Sequence, residues 1–91
     1  MSMIGVLVAS NKSLQLEATQ EAYNRAIVKF NLLLIEDKTH EKEVRTKLFE
    51  VMDERNELGE YSTSDLYVMQ KSIEDTVDDF LAGLNEQYVT V

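Results

Sequence analysis

Apolar side chains recur along this chain at the three- and four-residue steps of an amphipathic α-helix, in three long segments. The pattern predicts helices at about 13–35, 39–58 and 63–84, within one helical domain that spans residues 1–91. Because the two connections are short, we expect an all-α, antiparallel, up–down–up bundle. The apolar positions are Leu16, Tyr23, Ile27, Phe30 and Leu34, then Val44, Leu48, Val51, Met52 and Leu58, then Leu66, Met69, Ile73, Val77, Phe80, Leu84 and Tyr88.

Residues that favour helix ends flank these segments. Ser13 and Thr39 are predicted to be the N-caps of the first two helices, because their hydroxyl oxygens can accept a bond from an unpaired backbone N–H. Gly59 is predicted to end the second helix in a left-handed turn. Ser62 and Asp65 have the spacing of a capping box at the start of the third helix.

The two ends of the chain are rich in valine, at 4–8 and 88–91. β-Branched runs favour short strands, which would pair between chains because an up–down–up order separates the two ends. The alternative is that the front run extends the first helix and the tail is loose. The front run is too short to span a membrane, and no basic residue precedes it as in a signal peptide. We therefore expect a cytoplasmic protein without a membrane partner.

The end of the first helix is apolar on almost all sides, over residues 27–35. Val28, Leu32 and Ile35 lie opposite the main apolar stripe of that helix. A helix that is apolar all round is usually buried all round. These three residues are therefore predicted to mediate self-association into a homo-oligomer; the alternative is that residues 1–9 fold back over them.

Composition removes several classes of chemistry. The chain has no cysteine, one histidine and three widely separated glycines. Disulfides, thiolate nucleophiles, a two-histidine metal site and a glycine-rich phosphate loop are therefore excluded.

Acidic residues are concentrated in the second half of the chain. Residues 1–47 hold seven basic and six acidic side chains, whereas residues 48–91 hold two basic and eleven acidic ones. Such a surface repels a nucleic-acid backbone and attracts basic surfaces. We therefore predict a protein partner with a basic surface and no direct binding of nucleic acid; the alternative is that the charge serves solubility alone.

The acidic side chains of the second and third helices lie off their apolar stripes. Glu74–Asp78 and Asp75–Asp79 are like-charge pairs that each cost helix stability, which suggests that a dense negative surface is useful. The interpretation is a non-catalytic inhibitor or adaptor that needs no cofactor. In general character it resembles the DNA-mimic inhibitors and takeover proteins of phages. The predicted partner-binding residues are Glu50, Asp53, Glu57, Asp75, Asp78 and Asp79.

An enzymatic alternative rests on the spacing of the same acids. Within residues 50–82 the chain has two adjacent acids followed by Glu57, then Asp75 and Asp78 three residues apart. This pattern resembles the all-α nucleoside-triphosphate pyrophosphatases of the MazG type. The resemblance implies a Mg²⁺ site made by Glu54, Glu57, Asp75 and Asp78. A further alternative is an assembly factor or chaperone that uses the apolar residues of the first helix and the valine-rich ends.

Overall fold

Within residues 3–89 the fold consists of three α-helices and one short 3₁₀ turn. A computed structural model describes the backbone of residues 3–89 and the side chains of residues 12–84. No strand occurs within the described backbone, so the predicted all-α class is confirmed. No described helix is long and apolar enough to cross a membrane. The elements are α1 (Met3–Glu36), α2 (Glu41–Glu57), the 3₁₀ turn (Leu58–Glu60) and α3 (Thr63–Val89).

Helix α1 begins ten residues earlier than predicted, because Ser13 lies inside it and is not its N-cap. The strand prediction for residues 4–8 is wrong, and the alternative that this run extends the first helix is confirmed. No proline interrupts the segment, and a helix satisfies its backbone hydrogen bonds without the neighbour that a strand requires. At the other end Tyr88 and Val89 belong to α3, while residues 90–91 lie outside the described residues.

The connection between α1 and α2 is organised by Asp37 and not by Thr39. Asp37 Oδ1 accepts hydrogen bonds from the backbone N–H groups of Thr39 at 2.9 Å and His40 at 3.3 Å. Asp37 Oδ2 lies 2.9 Å from Nδ1 of the buried His40. Helix α2 therefore begins at Glu41, two residues later than predicted.

The connection between α2 and α3 avoids the left-handed turn predicted at Gly59. No glycine among the described residues has a positive φ angle. Instead α2 tightens into the 3₁₀ turn, where the Tyr61 N–H donates to the Leu58 carbonyl at 3.2 Å and Leu58 is completely buried. The predicted cap of α3 forms, because Ser62 Oγ accepts the Asp65 N–H at 3.2 Å.

The core lies between α1 and the other two helices, and the predicted apolar stripes line it. Phe30 is completely buried and packs edge to face against Phe80, with ring centroids 5.4 Å apart and an interplanar angle of 80°. The largest fully buried side chains are Phe30, Leu58, Leu66, Val44 and Val51, together with the hydroxyl-bearing Thr19.

Small residues of α1 also line the core, and the sequence pattern did not reveal them. Ala22 and Ala26 are 2% and 3% exposed and face the same groove as Ile73 and Val77 of α3. Their short side chains allow the two helices to approach closely. The Thr19 hydroxyl donates a hydrogen bond to the Leu66 carbonyl oxygen at 3.0 Å, so a polar contact lies within the buried interface between α1 and α3.

The inter-helix contacts define which parts of the chain lie side by side. Along α1 and α3 the residue numbers rise together from Thr19–Leu66 through Arg25–Glu74 to Phe30–Phe80, and Gln15–Gln70 departs from this order. Helix α2 meets the middle of α1 close to its own last turn. The pairs between α1 and α3 are Gln15 with Gln70, Arg25 with Glu74 and Phe30 with Phe80; those between α1 and α2 are Tyr23 with Glu54 and Asn24 with Arg55.

Truncation of Phe30 tests the core. Phe30→Ala removes a completely buried ring and its contact with Phe80, so the free energy of unfolding should fall by about 3–5 kcal/mol. Urea denaturation measures this change. The control Val68→Ala, at a position 64% exposed, should change it by less than about 0.5 kcal/mol. Equal effects of the two substitutions would contradict the packing described above.

Candidate functional site

The six acidic residues predicted to bind a partner are all exposed. On α2, Glu50 lines a small pocket of about 100 Å³ whose opposite wall is formed by Ser72 and Thr76 of α3. Asp53 and Glu57 follow Glu50 at three and seven residues, which is the spacing of one helix side. Of these three acids Glu50 lines the opening between α2 and α3, while Asp53 and Glu57 continue the acidic side of α2 beyond it.

The acidic residues of α3 divide between two sides of that helix. Asp75 and Asp79 follow Ser72 at three and seven residues and so share its side of α3, towards α2. Asp78 instead lines a depression of about 190 Å³ between α1 and α3, together with Arg25 and Lys29. We call the exposed acids on these sides of α2 and α3 the acidic surface: Glu50, Asp53, Glu57, Asp75 and Asp79.

Most of the acidic surface lacks a neutralising partner. Lys47 Nζ lies 3.3 Å from Glu50 Oε2. Among the described side chains, no cation lies within ion-pair distance of the other four carboxylates. Uncompensated carboxylates on two neighbouring helices produce a local negative potential, which raises the local concentration of cationic groups.

Beneath the acidic surface, the buried Tyr23 of α1 holds Glu54 in place. Tyr23 is 2% exposed, and its Oη donates a hydrogen bond to Glu54 Oε2 at 2.9 Å. Burial raises the pKa of Tyr23, and the bond to the Glu54 carboxylate raises it further. Tyr23 is therefore a neutral donor at neutral pH. The sequence pattern does not predict this contact, because it joins residues of two different helices that are 31 positions apart along the chain.

The four carboxylates of the pyrophosphatase alternative do not converge. Glu54 faces Tyr23 and the α2–α3 pocket, whereas Asp78 lies in the depression between α1 and α3. Within the part of the chain whose side chains are described, no three His, Cys, Asp or Glu residues gather closely enough to hold a metal ion. The arrangement does not fit a Mg²⁺ site made by Glu54, Glu57, Asp75 and Asp78, because such a site needs clustered oxygen ligands.

The apolar residues predicted for self-association lie on the outside of α1. Val28, Leu32 and Ile35 are 57%, 51% and 71% exposed. Residues 3–9 cannot fold back over them, because they are part of the same helix and end about 28 Å before Val28 at 1.5 Å per residue. The structure thus removes the intramolecular alternative and leaves these side chains uncovered within one chain.

Comparison of the chain with protein-family models, with curated proteins and with solved structures gave no match. The resemblance to the MazG type therefore has no support beyond the residues that suggested it.

The raised pKa of Tyr23 predicts a loss of stability at alkaline pH. An unfolded tyrosine releases its proton near pH 10, whereas the folded chain keeps the Tyr23 proton to higher pH because of burial and Glu54. The stabilisation of the folded chain by protonated Tyr23 is thus complete below about pH 10 and is lost as the pH rises further. In Tyr23→Phe the drop in the free energy of unfolding between pH 8 and pH 11 should be smaller.

Urea titrations at the two pH values measure the drop, and Tyr67→Phe is the control because Tyr67 is 55% exposed. At pH 8, Tyr23→Phe should cost about 1 kcal/mol for the lost hydrogen bond. An unchanged pH dependence in Tyr23→Phe would refute the assignment.

The divergent carboxylates predict no stabilisation by Mg²⁺. Because Glu54 and Asp78 face different grooves, millimolar Mg²⁺ should leave the Tm unchanged, and no nucleoside triphosphate should be hydrolysed. A thermal-shift series with and without Mg²⁺, and a nucleotide panel, test this. A Mg²⁺-dependent rise in Tm that disappears in Glu54→Ala or Asp78→Ala would revive the enzymatic alternative.

Proposed function

We propose that this chain is a non-catalytic binding protein, an inhibitor or adaptor, that attaches to a protein partner with a basic surface. The observation that carries the proposal is the acidic surface, in which exposed carboxylates lie on both α2 and α3 and, among the described side chains, only Glu50 has a cation within ion-pair distance. Charge of one sign on a surface steers and orients a partner of the opposite sign. The exposed Asp78 lies on the other side of α3 and extends the negative charge towards α1.

We also propose an up–down–up bundle as the scaffold of this surface. Support comes from the direction of successive contacts between α1 and α3. The pair Arg25 and Glu74 is followed by the pair Phe30 and Phe80, so both residue numbers increase, as in parallel helices. In that arrangement α2 and α3 turn their apolar sides to α1 and hold their carboxylates at fixed separations. A rigid row of charges loses little conformational entropy on binding, which favours affinity.

The mode of action that we propose is occupation of a basic groove. Carboxylates spaced along a helix can meet lysines and arginines that otherwise contact phosphate groups. A phage-type takeover protein or nucleic-acid mimic would act in this way, in the cytoplasm. The net charge of −8 favours such a partner over nucleic acid itself.

A second candidate function is supported by a different observation. Val28, Leu32 and Ile35 form an uncovered apolar face on α1, and we propose that the chain self-associates through it. An assembly factor or chaperone would use this face in place of the acidic surface. The two functions differ in salt dependence, since apolar contacts strengthen slightly and charge contacts weaken as salt is added.

Charge reversal on the acidic surface tests the main proposal. Asp53→Lys/Asp79→Lys changes one exposed residue on each of α2 and α3. We expect about tenfold weaker binding of a peptide rich in lysine and arginine, and of any basic protein captured from extract. Fluorescence anisotropy at low and high salt measures the peptide.

The matched control reverses two exposed acids of α1, Glu17→Lys/Glu36→Lys, and gives the same net charge. It should bind more tightly than the test variant. If both variants lose affinity equally, net charge and not the acidic surface is responsible. Binding that resists high salt would also contradict the proposal.

A further inference from the structure

We infer that two copies of this chain associate about a two-fold axis through a face shared by α1 and α2. In this dimer the basic end of the face on one copy lies opposite the acidic end of the face on the other. This inference rests on the self-association proposed above and adds to it the participation of α2, the symmetry and the complementary charges. The acidic surface plays no part in it.

The uncovered apolar residues extend from α1 onto α2. Phe49 and Met52 of α2 are 55% and 40% exposed. The bond from Arg55 Nε to Asn24 Oδ1 marks where this side of α2 meets α1. Met52 lies one turn before Arg55, and Val28 lies one turn after Asn24. Because the two chain directions are opposed at this contact, Met52 and Val28 fall at the same level.

One helical turn further from the Arg55–Asn24 contact, a second pair of apolar residues, Phe49 of α2 and Leu32 of α1, lies at a similar level. Phe49 is six residues before Arg55, about 9 Å along the axis, and Leu32 is eight residues after Asn24, about 12 Å along it. The five exposed side chains thus form one continuous apolar patch on two helices, on the side of α2 away from the α2–α3 opening. The apolar patch comprises Val28, Leu32, Ile35, Phe49 and Met52.

Opposite charges lie beyond the two ends of the apolar patch. Towards the α1–α2 connection, the exposed Lys38, Lys42 and Arg45 line a depression of about 500 Å³ that reaches Phe49. Glu41 also lines it and pairs with Arg45 at 2.6 Å, which leaves Lys38 and Lys42 as its uncompensated cations among the described side chains. Towards the other end α1 exposes Glu17 and Glu21. Among the described residues neither Glu21 nor Lys42 has an ion-pair partner.

The positions of these charges match a two-fold axis through the patch. Lys42 lies thirteen residues before Arg55, about 20 Å from the Arg55–Asn24 contact, and Glu21 lies about 4.5 Å on the other side of it. The midpoint between them is about 8 Å from the contact, close to the level of Phe49. A two-fold axis at the level of Phe49 therefore places Glu21 of one copy at the axial level of Lys42 of the other, twice, with opposite charges on neighbouring helices.

A second copy is the occupant that this pattern fits. A two-fold interface must be complementary to itself, and an apolar centre between a basic and an acidic end has that property. The patch is of the size, some hundreds of Å², at which exposed apolar surface marks an interaction site.

Sedimentation equilibrium over a range of concentrations tests the dimer. The wild-type protein should have about twice the 10.5 kDa mass of one chain. Leu32→Glu and Phe49→Glu should each raise the dimer dissociation constant at least tenfold. Val68→Glu is the matched control, because Val68 is 64% exposed on α3 and lies outside the patch; its mass should equal that of the wild type.

Charge exchange tests the symmetry. Glu21→Lys and Lys42→Glu should each weaken the dimer, and the double variant should restore it, because the crossed contacts are then rebuilt with opposite signs. A wild-type monomer at all concentrations overturns the inference, as does disruption by Val68→Glu or additive weakening in the double variant. Asp53→Lys/Asp79→Lys should dimerise normally, so loss of partner binding in that variant concerns the proposed function alone.

Discussion

The last part of α1, residues 27–35, carries apolar side chains around most of its circumference, and the two remaining helices cover only part of it. Tyr23 and Phe30 point into the core with α2 and α3, while Val28 and Leu32 point away from it. Three helices leave at least one side of each exposed, so burial of α1 within one chain is incomplete. The side that α2 and α3 leave open exposes Val28, Leu32 and Ile35 to water, which is a poor environment for apolar side chains.

The same constraint determines where the acidic residues lie. Because α2 and α3 both use their apolar sides to pack on α1, their polar sides must point outward or towards each other. Glu50 therefore lines the opening between α2 and α3, and Asp79 is exposed on α3, although repulsion among the acids opposes compaction. Burial of residues such as Leu58 and Leu66, both completely inaccessible to solvent, offsets that repulsion.

The sequence predicts the features that depend on periodicity and misses those that depend on neighbours. The helix class and the large buried residues follow from 3.6-residue spacing alone. Ser13 and Gly59 are suitable caps, but a helix ends where tertiary packing stops supporting it, so neither residue acts as predicted. Sequence spacing does not identify Ala22 and Ala26 as core residues, because an alanine is compatible with any side of a helix until a second helix packs against it.

Sequence spacing also leaves undetermined which acidic residues of α2 and α3 face each other. Spacing along one helix determines which carboxylates share a side of that helix, but not which sides of two helices face each other. Glu54 and Asp78 have suitable spacings for a joint site, yet the rotations of α2 and α3 about their axes direct them to different grooves. Those rotations are fixed by core packing and by the Tyr23–Glu54 bond, which sequence spacing does not encode.

The inferred dimer contact and the proposed partner-binding surface lie on different sides of α2. Phe49 and Met52 face the inferred two-fold axis, whereas Glu50 and Glu54 border the α2–α3 opening. A dimer would therefore present two acidic surfaces, one on each copy, without covering either. A partner with repeated basic sites would then bind the second surface at a high effective concentration, which increases avidity without any new contact. The apolar patch would contribute to partner binding in this way although it touches no partner.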